Sequence, residues 1–137
     1  MDRGGLLLES PVGQAGSGRI AVVGANSAVG TALLAQVAAG DALDAVAAVR
    51  RPEVVGALPQ SPRISPRVVD YRRSDDLTDA FAGAGAVVHL AGILFESRTS
   101  DYRSGNVDVT RAVVEAARAA GAGHVVIVSS LGADPRS

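Results

Sequence analysis

Short, uniformly apolar runs alternate along this chain with longer stretches whose apolar positions recur at helical spacing. Ile20–Val23 is the first run, closed by Gly24. From Ala28 to Ala39 an Ala/Leu/Val-rich stretch puts Val29, Leu33 and Val37 on one helical face, and Gly40 is a natural stop. Leu43–Val49 is the second run, ended by Arg50, Arg51 and Pro52. A short helix or loop then leads into Pro59–Pro66, where proline disfavours regular structure. Arg67–Asp70 reads as a third strand. Ser74 reads as the N-cap of a helix running through Phe81, with Asp75 and Asp76 facing its positive end. Ala86–Leu90 is a fourth run. The longest helical pattern, Ser104–Ala120, carries Val109, Val113, Ala116 and Ala120 at helical spacing and stops at Gly121. His124–Val128 is the fifth run, followed by Ser129, Ser130 and a polar tail.

Strands that are apolar throughout, instead of alternating, are strands covered on both faces. Separated by helices, they imply right-handed parallel crossovers. The predicted fold class is therefore α/β, a doubly wound, parallel, five-stranded sheet in the order 3-2-1-4-5. The opening MDRGGLLLESPVGQAGSGR contains too short an apolar run for a signal-peptide core or a membrane span, and residues 1–18 read as a flexible leader. Residues 19–137 form one domain, expected in the cytoplasm by default.

Composition narrows the chemistry. Of 137 residues 47% are hydrophobic but only 3% aromatic, so the core must be built from Val, Ala, Leu and Ile. Thirteen basic and 14 acidic residues give a net charge of −1, which marks out neither a nucleic-acid surface nor a membrane surface. Cysteine is absent, and His89 and His124 are too scattered to suggest a metal site. His89, in mid-strand, reads as a packed core residue. Every basic residue is arginine. Without lysine there is no Walker-type phosphate loop and no Schiff-base chemistry.

The first strand feeds directly into Gly24-Ala25-Asn26-Ser27-Ala28-Val29-Gly30. A diphosphate needs free backbone N–H groups and the positive end of a helix, approached without Cβ obstruction. Gly24 would make the tight turn, and Gly30 would let the helix pack closely on the sheet. Ser27 stands where a glycine is commoner and offers a hydroxyl to phosphate. At the end of the second strand, an acidic residue would bind an adenosine 2′-hydroxyl and repel a 2′-phosphate. Here stand Arg50 and Arg51. Guanidinium groups suit phosphate, which points to NADP, with NAD the alternative and Arg50 the better placed of the two.

The segments VVGANSAVG, AVRRP, VVDYRRSDDL, VVHLAGILFE, NVDVTRAVVEAARAAG and HVVIVSSLGADP, in this order and spacing, resemble an extended or atypical short-chain dehydrogenase/reductase. The nearest group is that of the complex I subunit-like and NmrA-like NAD(P)-binding proteins. The resemblance implies that Gly24, Asn26, Ser27, Val29 and Gly30 line the pyrophosphate and ribose. It also implies that Asp70 accepts from the adenine amino group with Tyr71 beside it, and that Leu90, Ala91 and Gly92 flank the riboses. Ser129 and Ser130 would lie near the nicotinamide and substrate. Two readings stay open beside these: Asp70 as a turn-capping residue, and Ser129-Ser130 as plain loop polarity.

Reductases of this kind pair a tyrosine with a lysine four residues on, the ammonium lowering the pKa of the phenol. Tyr71 is followed by RRSD and Tyr102 by RSGN, so neither has that partner. By the resemblance the domain ends just before the Tyr-x-x-x-Lys segment and is not catalytically self-sufficient. The function implied is the NAD(P)-binding domain of a reductase-like or epimerase/dehydratase-like protein. The alternative is a non-catalytic nucleotide-sensing or scaffold module. The expected partner is the dinucleotide, with neither nucleic acid nor membrane. A fifth strand with no sixth beside it exposes an apolar edge, which predicts self-association.

Overall fold

A computed structural model of the chain describes residues 18–90 and 102–128, and within 102–107 the backbone alone. The elements are β1 (Arg19–Val23), α1 (Ala28–Ala39), β2 (Asp44–Val49), a 3-10 helix (Pro52–Ala57), β3 (Ile64–Val68), α2 (Ser74–Ala80), β4 (Ala86–His89), α3 (Tyr102–Ala120) and β5 (His124–Ile127). The five strands are all parallel and lie in the order β3-β2-β1-β4-β5. The predicted architecture holds.

The apolar runs are strands because both of their faces are covered. Ala21 and Val23 of β1, Val46 and Ala48 of β2 and Val87 of β4 face α2 and α3, where they meet Leu77, Phe81, Val113 and Ala116. The alternate positions Val22, Ala45, Ala47 and Val49 face the opposite layer with Leu34 and Val37 of α1, Leu58 and Ile64. Phe81 and Leu34 are the largest fully buried side chains, one in each layer. The many alanines on β1 and β2 keep each layer thin and bring the helices close to the sheet.

Several local readings are corrected. Helix α1 has the predicted bounds, but its buried face is Gly30, Leu34 and Val37; Leu33 packs only partly and Val29 is 54% exposed. The face is rotated because Gly30, with no side chain, is the point of closest approach. Strand β3 is Ile64–Val68, not Arg67–Asp70, and Pro66 lies inside it opposite Ala47. Proline is tolerated there because β3 is an edge strand bonded on one side only. Ser74 is the first residue of α2 and not its cap. Arg73 holds the cap position without a side-chain bond, while Asp76 Oδ2 in the first turn accepts from Asp70 N at 2.9 Å. That carboxylate ties the start of α2 to the chain leaving β3, and no side chain caps the helix.

At the opposite edge, β5 is paired through main-chain bonds that begin with Gly123 N to Gly85 O and end with Val128 N to His89 O. His124 and the four apolar residues after it are all exposed, with Ile127 at 53%. His89, by contrast, is buried, and its Nε2 lies 3.0 Å from Thr110 Oγ1 on α3. It is the packed core residue the sequence implied, and it ties β4 to α3.

Candidate functional site

The strand order reverses at β1, since chain leaving β1 returns on β2 to one side while β4 lies on the other. The carboxyl ends of β1 and β4 at such a switch point are flanked by connections that diverge, which leaves a crevice. The turn Gly24–Ser27 sits at that point.

Gly24 adopts φ +81, a left-handed conformation that any Cβ would oppose. The turn closes on itself through Ser27 N to Gly24 O at 3.1 Å. Ser27 is the N-cap of α1, its Oγ accepting from Gly30 N at 3.0 Å. That bond uses an oxygen lone pair and leaves the hydroxyl proton to be donated elsewhere. A Cβ on Gly30 would come within 2.5 Å of Ala25 O and 2.8 Å of Gly24 O. Among the described residues, the amides of Asn26, Ala28 and Val29 have no hydrogen-bond acceptor. Three unpaired N–H groups at the positive end of a twelve-residue helix make a site for an anion the size of a diphosphate.

A second feature was not legible in the sequence. Ala48 O, near the end of β2, accepts from Gly24 N and Ala25 N, each at 3.2 Å, and from the Tyr71 hydroxyl at 2.7 Å. The Tyr71 hydroxyl in turn accepts from Gly24 N at 2.9 Å. One phenol thus joins the ends of β1, β2 and β3. Tyr71 is 4% exposed, and burial pushes its pKa up to about 12. The signal available in advance was its rarity: it is one of only four aromatic residues, placed directly after the third strand. The Arg50 guanidinium lies over its ring, 5.9 Å from the centroid.

The remaining predicted residues are placed as follows. Asn26 is exposed and Ser27 half-buried on the turn, with the Val29 side chain at its mouth. Arg50 is exposed, and among the described residues it has no carboxylate partner; Arg51 reaches Glu53 at 3.9 Å. Asp70 Oδ1 accepts from Arg72 N at 3.0 Å and lies 3.6 Å from Arg72 Nε, so the carboxylate does cap its own turn. Leu90 is half-buried and donates its N–H to Val23 O at 2.8 Å, which fixes the end of β4 beside β1. Ala91, Gly92, Ser129 and Ser130 lie outside the described residues. A groove of about 510 Å³ on the outer face of α3, lined by Arg111, Val114, Glu115 and Arg118 among others, shares no residue with this site. No cluster of potential metal ligands, and no helix long and apolar enough to cross a membrane, occurs among the described residues.

A doubly wound parallel sheet with a glycine turn and open amides at its switch point defines a dinucleotide-binding Rossmann domain. Comparison with known families agrees. The sequence matches the model of NAD(P)H-binding proteins over residues 24–137, and the chain belongs to that family. Among solved structures, a variant of uronate dehydrogenase from Agrobacterium tumefaciens complexed with NAD is 28% identical, with a TM-score of 0.68; the alignment covers 82% of this chain and 40% of that one. MoeE5, in complex with UDP-glucuronic acid and NAD, is also 28% identical, with a TM-score of 0.69 over 82% of this chain and 37% of that one. A Rossmann-fold NAD(P)-binding family protein from Shigella flexneri shares the fold at 17% identity, TM-score 0.69, over 86% of this chain and 54% of that one. The chain therefore spans about two fifths of the length of the dehydrogenase. No curated protein matches it.

Proposed function

We propose that this NAD(P)-binding domain takes NADP(H) in preference to NAD(H), with the adenosine 2′-phosphate against Arg50. The observation that carries this reading is a guanidinium just past β2 that is exposed, has no carboxylate partner among the described residues and lies over a buried ring. A partnered arginine would have to break an ion pair before gripping phosphate. In this reading the amides of Asn26, Ala28 and Val29 and the Ser27 hydroxyl hold the pyrophosphate, while Gly24 and Gly30 keep the approach open. Asp70 takes the adenine amino group through its second oxygen. Val29, Leu90, Ala91 and Gly92 flank the riboses, with Ser129 and Ser130 toward the nicotinamide.

The domain is, on this proposal, the cofactor-binding part of a reductase-like or epimerase-like protein of the short-chain dehydrogenase/reductase kind, acting in the cytoplasm. Its own residues hold the dinucleotide without supplying the proton-transfer pair. The chain has no lysine, and the phenol of Tyr71 is buried and committed to two bonds. We further propose that copies associate through the outer edge of β5, unpaired among the described residues, where Val125, Val126 and Ile127 are exposed.

Calorimetric titration with NADPH and NADH in parallel tests the central reading. NADPH is expected to bind about tenfold more tightly, the scale of one charge-assisted hydrogen bond. Arg50→Ala is expected to bring the two affinities together. Equal affinities for the unsubstituted protein would remove the case for phosphate selectivity.

A further inference from the structure

We infer that Tyr71 is a positioning residue with two separable roles, its ring presenting Arg50 to the 2′-phosphate and its hydroxyl setting the pyrophosphate turn. This inference rests on the proposed NADP reading. The two roles arise because one side chain spans two parts of the site. The ring lies beneath Arg50, with the guanidinium carbon 5.9 Å from the centroid. The hydroxyl lies beneath the turn, bonded to Gly24 N and Ala48 O.

The ring role follows from the geometry of the guanidinium. Arginine uses its flat face in stacking on an aromatic ring, while its N–H donors point outward in its plane. A guanidinium held over a ring can therefore bind phosphate without leaving that ring. A free arginine side chain is spread over many rotamers, and a ligand must pay to fix it. Tyr71 cannot drift to follow Arg50. Val69 N is bonded to Val49 O at 2.8 Å, and Arg73 N to Asp70 O at 3.0 Å, so the main chain is held on both sides of it.

The hydroxyl role follows from counting acceptors. Ala48 O already receives Ala25 N and the Tyr71 hydroxyl, and a carbonyl oxygen has two lone pairs. The shorter of the two contacts of Gly24 N is the one to Tyr71, 2.9 Å against 3.2 Å. Without the hydroxyl the glycine amide loses its shorter bond and keeps the 3.2 Å bond to Ala48 O. The turn then loosens, and every ligand with a pyrophosphate feels it equally.

The test is titration of NADPH and NADH against the full chain and its Tyr71→Phe, Tyr71→Leu and Arg50→Lys variants, each first shown to unfold cooperatively. Tyr71→Phe keeps the ring and is expected to weaken both ligands by a common factor, leaving their ratio in place. Tyr71→Leu removes the platform and is expected to lower the ratio by about threefold to tenfold, the range for freeing one long side chain. In an Arg50→Ala background the same leucine substitution is expected to leave the ratio where it is. Arg50→Lys, an exposed change that keeps the charge but loses the planar guanidinium, is expected to lose most of the preference. An unchanged ratio in either Tyr71→Leu or Arg50→Lys overturns the inference while the NADP reading survives. A ratio of one in the unsubstituted protein instead sinks the NADP reading, and this inference with it.

Discussion

Replacing Gly30 by alanine is the sharpest test of how α1 and the turn fit together. The added Cβ would stand 2.5 Å from Ala25 O and 2.8 Å from both Ala25 C and Gly24 O. Carbon–oxygen contacts are comfortable from about 3.3 Å outward, so the helix end must retreat by roughly 0.8 Å. The obstructing atoms are backbone, and no rotamer change relieves them. Overpacking of this kind costs about 1–3 kcal/mol. Alanine recovers at most about 1 kcal/mol of helix propensity, and less in a first turn. The net loss is about 1–2 kcal/mol, a fall in Tm of about 3–10 °C for a domain of this size. Dinucleotide binding should weaken further, by about tenfold, because the atoms pushed aside carry the open amides. Thermal unfolding gives the first number and calorimetric titration the second. Gly56→Ala is the control: nothing lies within 4 Å of its new Cβ, and it should be neutral or stabilising by up to about 1 kcal/mol. If Gly30→Ala melts and binds like the unsubstituted protein, the claim of close packing at the turn is wrong.

Other outcomes follow from single observations. Ser27→Ala removes the cap and should cost about 1 kcal/mol, whereas Ser27→Gly should cost a few tenths. If the hydroxyl also donates to phosphate, both variants lose affinity, and normal binding by Ser27→Gly would limit the serine to capping. Burial pushes the pKa of His89 below its ordinary value, and Nδ1 has no partner among the described residues. The folded state therefore resists a proton that the unfolded chain accepts near pH 6.5. Stability should be full above that pH and fall as pH drops toward 5. His89→Asn should flatten the slope in denaturant titrations, and an unaltered slope would place its origin in another group. Val126, 48% exposed on β5, is the place to break self-association. The apparent mass in light scattering should rise with concentration, and Val126→Lys should stop the rise. A monodisperse monomer at high concentration, before any substitution, would refute the edge-pairing proposal.

The sequence carried the layer architecture because uniformly apolar runs, cut by Ser27 and Gly40 or by Gly121, leave few alternatives. It misled where one residue outweighed a trend. Pro66 argued against a strand, yet an edge position asks for no hydrogen bond on its outer side. Apolar periodicity chose the Val29 face of α1, yet the contact is set by a residue with no side chain, to which a hydrophobic count is blind. The glycine turn could be read because backbone amides need only a strand, a bend and a helix. The resemblance places Tyr71 beside the adenine, but its bond to the turn could not be read, since no spacing rule says that a phenol 47 residues from Gly24 will bond to its amide.

That long-range bond changes how the site is understood. A glycine turn is commonly treated as a local device whose geometry comes from its own φ angles. Here the turn hangs from Ala48 O on the neighbouring strand and from the Tyr71 hydroxyl in the turn that follows β3. The end of β2 therefore does two things at once, since Ala48 fixes the turn and Arg50 stands two residues on. Arg50 stands one residue past β2, and its guanidinium lies over the ring of Tyr71, which packs in the same layer as Ala48. Cofactor selectivity and pyrophosphate binding then share one buried support, and a substitution at the end of β3 can alter both without touching a ligand.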